Sequence, residues 1–215
     1  MDMCGRYAFT LPPEAIRQLF GVAGGDWVEP RVNLSPSTVN PVIRMNEGAR
    51  ELAPMKWGLR PFWWDPAKTK NQPFNAQAED AATKPFFRDA FKHRRCVVPA
   101  TAYYEWDRAS KPPKPFQLTV DAGAPFCFAG LWERWKSPDG EWLETYAILT
   151  TQPNRLAANW HNRMPVILDR EEIDSWLAQS DRMQLEAMLD PFPPHRMDAK
   201  AVSPKLNRSD YEGPI

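Results

Sequence analysis

Four polar residues, Cys4, Asn75, Glu105 and His161, interrupt stretches of the chain that otherwise read as structural. Together they carry the side chains of a thiol-nucleophile site: a thiol attacks, histidine and glutamate move protons, and asparagine orients a carbonyl or an amine. Cys4 stands almost at the amino terminus, before Gly5 and Arg6. Asn75 heads N-A-Q-A-E-D after a proline and an aromatic, Glu105 closes the apolar run that begins at Val97, and His161 opens H-N-R-M-P before an apolar stretch. Each has a structural alternative. Asn75 can cap a following helix, Glu105 can pair with an arginine, His161 can be a hydrogen-bonded loop histidine, and Cys4 can be a small buried side chain.

The elements that must position these residues are read from periodicity and punctuation. Pro12 and Pro13, Glu14 and Gly21 bracket a short helix over 12–20. Strands are expected at 39–44 and 52–59 around a turn at Asn46-Glu47-Gly48. Residues 61–73, aromatic, basic and bounded by prolines, read as a long loop. A helix is expected over 80–92. Four successive strands follow at 95–106, 115–120, 126–135 and 146–151. A helical turn at 154–160, a strand at 164–168 and a helix over 171–189 complete the pattern. Runs of strands with segregated helices predict an α+β fold with a closed or half-closed antiparallel sheet.

Composition bounds the function. The chain has 215 residues, enough for one domain with a sizeable core. Its 27 basic and 27 acidic side chains leave a formal charge of +0, which excludes coating of nucleic acid through global charge. A polyanion must therefore be met by a local basic patch. The 23 prolines and 10 tryptophans favour short strands and tight turns over a helical bundle. Three cysteines, with no C-x-x-C pair, give neither a disulfide framework nor a zinc site, and Cys96 in H-x-x-C reads as a core thiol. No cofactor is suggested, no apolar run is long enough to span a bilayer, and no signal peptide is expected, so the default is a cytoplasmic protein.

Sequence context adds to these residues. M-C-G-R-Y is followed in order by W-G-L-R-P from Trp57, F-N-A-Q-A-E from Phe74, K-P-F-F-R from Lys84 and R-R-C-V-V-P-A from Arg94. Then come Y-Y-E-W from Tyr103, A-G-L-W-E from Ala129, I-L-T-T from Ile148 and H-N-R-M-P-V-I-L from His161. This series closely resembles the SOS response-associated peptidase (SRAP) family, abasic-site sensors that crosslink themselves to single-stranded DNA. The resemblance runs from Cys4 to about Asn207. It implies a single SRAP domain over 1–215, with a β-rich, antiparallel, partly barrel-like core, peripheral helices and a tail at 208–215. It further implies a monomer that associates with the nucleoid on damage.

The resemblance makes Cys4 the nucleophile. An amino-terminal cysteine is a 1,2-aminothiol; its amine can form a Schiff base with the abasic aldehyde, and its thiol can close a thiazolidine. Asn75, Glu105 and His161 are implied to support it, Glu105 as proton shuttle with a carboxyl raised by flanking aromatics, and His161 as donor to the opening sugar. Met1-Asp2-Met3 precede Cys4, so either translation begins at Met3 and that methionine is trimmed, or the chain removes the three residues itself through an N-to-S acyl shift followed by hydrolysis. DNA contacts are expected from Arg6, Arg60, Lys84, Arg88 and Arg163, with Trp63 and Trp64 on the surface for stacking. Gln77 stands where the family usually has Arg, offering a hydrogen bond without charge. Two rival functions remain: a thiol peptidase or amino-terminal-nucleophile amidohydrolase, and a non-covalent reader of modified DNA.

Overall fold

The computed structural model describes residues 5–70, 72–178 and 181–215. Strand β1 (Tyr7–Phe9) leads to helix α1 (Pro13–Phe20), which begins with a proline in its first turn and ends at Gly21 in the left-handed conformation, φ 63°. After β2 (Arg31–Leu34) come β3 (Val39–Asn46) and β4 (Ala49–Trp57). Glu47 and Gly48 join these two with positive φ at both positions, 49° and 82°, the two-residue turn whose twist matches a hairpin.

The next segment departs from expectation. Asn75 begins a three-residue strand, β5 (Asn75–Gln77), and the helix expected over 80–92 is two, α2 (Ala78–Ala81) and α3 (Arg88–His93). Pro85 causes the break. It has no N–H to continue the ladder and disfavours helical backbone at Lys84. The strand expected at 95–106 is also two, β6 (Arg95–Ala100) and β7 (Ala102–Asp107), which belong to different sheets. Thr101 is the crossing point, tied to β1 through its N–H on the Ala8 carbonyl at 2.8 Å.

Strands β8 (Lys114–Val120), β9 (Phe126–Lys136) and β10 (Trp142–Thr151) follow, then the short β11 (Met164–Pro165) and β12 (Ile167–Leu168). The long carboxy-terminal helix is replaced by α4 (Glu172–Ala178) and α5 (Arg182–Ala187), the second capped by Asp181 accepting from the Met183 N–H. A last strand, β13 (Met197–Ala201), was not expected; only Met197 of its five residues is buried, so it lacks an apolar signal.

Two sheets organise the described residues of this mixed α+β domain. One has the order β13-β8-β7-β1-β2. In the other, β10 pairs with β4 in parallel and with β9 in antiparallel register, closing the ring β4-β3-β6-β9-β10 into a five-stranded barrel. Its neighbour relations are otherwise antiparallel. Trp57, Tyr7 and Phe128 pack edge-on between the sheets, with Tyr7–Trp57 centroids 5.3 Å apart. Cys96 and Cys127 are buried thiols whose pKa burial pushes up, in keeping with core packing. Among the described residues no helix is long and apolar enough to cross a membrane.

Candidate functional site

A groove of about 920 Å³ opens where β1, β7 and the carboxy-terminal segment meet. Its walls include Gly5, Arg6, Phe74, Glu105, Trp106, Arg108, Asn207 and Ser209. Pairing of β1 on β7 decides what faces what. Tyr7 lies opposite Tyr103 and Ala8 opposite Ala102, and the Tyr104 N–H donates to the Arg6 carbonyl at 3.0 Å. Beyond the end of this ladder, Gly5 and Glu105 line the same groove. Cys4 itself lies outside the described residues.

Glu105 is 3% exposed although it lies on a groove-lining strand, and its cross-strand neighbour is Phe116. A buried carboxyl in a concave wall is a group held for use or for a specific partner. Asn75 is 8% exposed and belongs to β5, opposite Ile148 of β10. It is therefore a strand residue and not a helix cap; the capping position of α2 is Gln77, whose side chain makes no capping bond. Phe74, next to Asn75, lines the groove, and its carbonyl accepts from Trp57 Nε1 at 2.7 Å and from the Ile148 N–H at 3.0 Å.

His161 is built into the site by a polar loop. Asn154 Oδ1 accepts from the Leu156 and Ala157 N–H groups, forming a single 3-10 turn, and the His161 N–H closes on the Ala157 carbonyl at 3.1 Å. The ring's Nδ1 accepts the main-chain N–H of Arg163 at 3.0 Å, so a neutral ring carries its proton on Nε2. Nε2 is buried and has no hydrogen-bond partner among the described residues. Burial first, and then the charge of groove-lining Arg108, hold the imidazole below the ordinary histidine pKa. The adjacent Trp160 packs on Phe116, centroids 4.9 Å apart, which links this loop to the neighbour of Glu105. Of the three, Glu105 lines the groove itself, Asn75 follows groove-lining Phe74, and His161 feels the charge of groove-lining Arg108.

The cations divide. Arg6 donates to Asn33 Oδ1 at 2.6 Å and to the Leu206 carbonyl while lining the groove. Arg60 lies over the Trp64 and Trp135 rings at 4.6 and 4.8 Å and donates to Gln72. Lys84 pairs with Asp80, whereas Arg88 and Gln77 are exposed. Two expectations are corrected. Trp64 is 6% exposed, its carbonyl taken by Trp135 Nε1 at 2.7 Å and its ring edge-on to Trp135, so it is core and not a stacking surface. Arg163 is 8% exposed with both Glu79 oxygens on its guanidinium at 2.6 and 2.7 Å, so it is not available to phosphate. Trp63 does stand out, 47% exposed and edge-on to Phe86, and beside it Phe62 is 66% exposed.

Sequence reasoning missed Phe62, Arg108 and the groove-lining Asn207 and Ser209. Phe62 adjoined a singled-out Trp pair and was within reach. Asn207 and Ser209 had no local signal; their place comes from buried Asn33, whose amide donates to the Arg208 and Tyr211 carbonyls and straps the segment expected as a tail along the body.

A closed five-stranded barrel flanked by a second sheet, with a groove walled by Gly5 and buried Glu105, is the frame in which the family is recognised. The chain belongs to the SOS response associated peptidase (SRAP) family, whose model matches residues 3–209. It is 34% identical over 220 residues to the abasic site processing protein YoqW of Bacillus subtilis, covering 99% of this chain and 97% of that one. Abasic site processing protein HMCES of Xenopus tropicalis is 28% identical, covering 99% of this chain and 77% of its own. Crystal structures of a Bacteroides thetaiotaomicron protein (TM-score 0.86, 27% identity, 94% and 93% of the two chains) and a Bordetella bronchiseptica protein (TM-score 0.82, 31%, 93% and 100%) share the fold.

Proposed function

We propose that this protein recognises abasic sites in single-stranded DNA and captures them covalently through Cys4, shielding the lesion during DNA damage. The observation that carries the reading is a groove walled by both Gly5, the residue after Cys4, and the buried Glu105. The names of the curated relatives, abasic site processing proteins, support it.

The chemistry balances without a cofactor. The Cys4 amine adds to the C1′ aldehyde of the ring-opened sugar, and the carbinolamine loses water to give a Schiff base. The thiol sulfur then bonds to C1′ while its proton passes to nitrogen, closing a five-membered thiazolidine; one water leaves overall. Reference pKa values of ~7.7–8.0 for the amine and ~8.5 for the thiol need little tuning near neutrality. Both nucleophiles belong to one residue, so the second bond is intramolecular and favoured by proximity. Asn75 holds the amine or the opened sugar, Glu105 shuttles the protons of addition and dehydration, and His161 donates from Nε2 to the sugar oxygen. Run backwards, with one water consumed, the same groups release the intact abasic aldehyde; a lyase-like activity would be the separate β-elimination of the 3′ phosphate from the Schiff base.

On the DNA side, Arg6 meets the strand in the groove and Arg60, Lys84 and Arg88 contact flanking phosphates. Gln77 donates to phosphate without charge, and Trp63, joined by Phe62, stacks on a base. Residues 1–3 must be absent from the active form, because an acylated nitrogen forms no Schiff base; self-cleavage by Cys4 would be the peptidase activity. The test is incubation with an oligonucleotide bearing one abasic site. An adduct that survives denaturation in wild type and is lost in Cys4→Ala is expected. Turnover of a peptide amide with no adduct would instead establish the amidohydrolase reading.

A further inference from the structure

Glu79 closes the N-A-Q-A-E motif, yet neither capture nor DNA contact uses it. Both its oxygens accept from the Arg163 fork, at 2.6 and 2.7 Å, and Oε1 also faces Gln152 Nε2 at 3.4 Å. The second nitrogen of the same fork donates to the Thr150 carbonyl of β10. Arg163 is two residues beyond His161, and its main-chain N–H is the group that occupies His161 Nδ1. Next along the chain, Met164 and Pro165 pair with Thr151 and Thr150. The loop is therefore fixed at three points: a helix carboxylate, a strand carbonyl and a strand register. All hold the one N–H that decides the histidine tautomer.

We propose that Glu79 and Arg163 form a positioning clamp that fixes His161 as the neutral Nε2–H tautomer, making it a hydrogen-bond donor to the substrate. Bidentate pairing with a nine-tenths-buried guanidinium sets position and angle together, which a lysine point charge would not do. With Nδ1 already accepting, the ring has one polar atom left to offer, and that atom is the buried Nε2–H. An oxygen of the opened sugar is the acceptor that completes it. The inference rests on the crosslinking reading for what the histidine does, and on geometry alone for how it is held.

The test reads ring nitrogens and chemistry separately. In 15N spectra of the free, DNA-less protein, with the His161 signals assigned by their loss in His161→Gln, wild type is expected to show one neutral Nε2–H tautomer. Glu79→Ala and Arg163→Lys are expected to show mixed tautomers and to crosslink abasic oligonucleotide about tenfold to a hundredfold more slowly. Glu79→Gln, which keeps the shape and one acceptor, recovers part of both readouts and serves if the alanine variant does not fold. A wild-type Nδ1–H tautomer overturns the clamp, as does an unchanged tautomer in the folded variants, whatever their rate. A shifted tautomer with wild-type rate overturns the donor role. If wild type forms no adduct while its tautomer depends on Glu79, the crosslinking reading fails and the clamp stands.

Discussion

Glu105 and His161 are both nearly inaccessible, but their surroundings prepare them differently. Glu105 is a carboxyl on a strand, set against Phe116 and close to where the described chain begins. Glu105→Gln keeps its volume and removes its proton chemistry. Adduct formation should slow by ~10²-fold or more, measured as a pseudo-first-order rate, with little change in melting temperature. His161 makes a prediction about stability. Its folded pKa lies below the ~6.5 of an ordinary histidine, so below that value the unfolded chain binds more protons. The resulting stability is complete above about pH 6.5 and is lost as pH falls through the folded value. Melting temperature should therefore drop from about pH 7.5 to about pH 5.5, and His161→Gln should drop less. Equal losses would contradict the assignment of His161 as buried and neutral.

At the scale of elements, the barrel depends on a close approach at Gly130 in β9. A Cβ there would lie 2.9 Å from Cys96 Sγ on β6 and 3.2 Å from the Ala147 carbonyl on β10. Gly130→Ala should destabilise the fold by ~1–3 kcal/mol in chemical denaturation, because a strand backbone cannot give way as a side-chain tip can. Local chemistry made much of the framework readable: Pro13 and Gly21 bounded α1, and Glu47-Gly48 placed the β3–β4 hairpin. Where a local pattern spans a change of partner, it misleads. The run from Cys96 to Tyr104 is apolar apart from Thr101, yet it is divided there between two sheets. Strand β5 is three residues long and begins with a polar side chain, so nothing in its composition marks it. Individual site residues were legible as polar interruptions. Their assembly was not, since Gly5 and Glu105 share a groove wall and Arg163 meets Glu79 across some 80 to 100 residues of chain.

For the whole molecule, a formal charge of +0 means that DNA is met by placement of charge and not by its sum. Many arginines are committed internally: Arg44 to Glu51 and Glu144, Arg94 to Asp89 and Glu133, Arg163 to Glu79, Arg196 to Asp121 and Asp169. These are withdrawn from phosphate, and the salt dependence of single-strand binding should have a log–log slope of about −0.7 for each phosphate the remaining cations meet. Lys84→Ala with Arg88→Ala should flatten that slope by roughly 1 to 1.5 if each meets one phosphate; an unchanged slope would place the strand elsewhere. The central claim, that an unblocked Cys4 traps the abasic sugar, is tested most directly by intact-mass measurement of the protein before and after reaction with an abasic oligonucleotide. The account predicts a reactive chain that begins at Cys4 and an adduct equal to protein plus DNA less one water. A chain retaining Met3 that forms the same stable adduct, or a Cys4→Ala chain that does so, would contradict it.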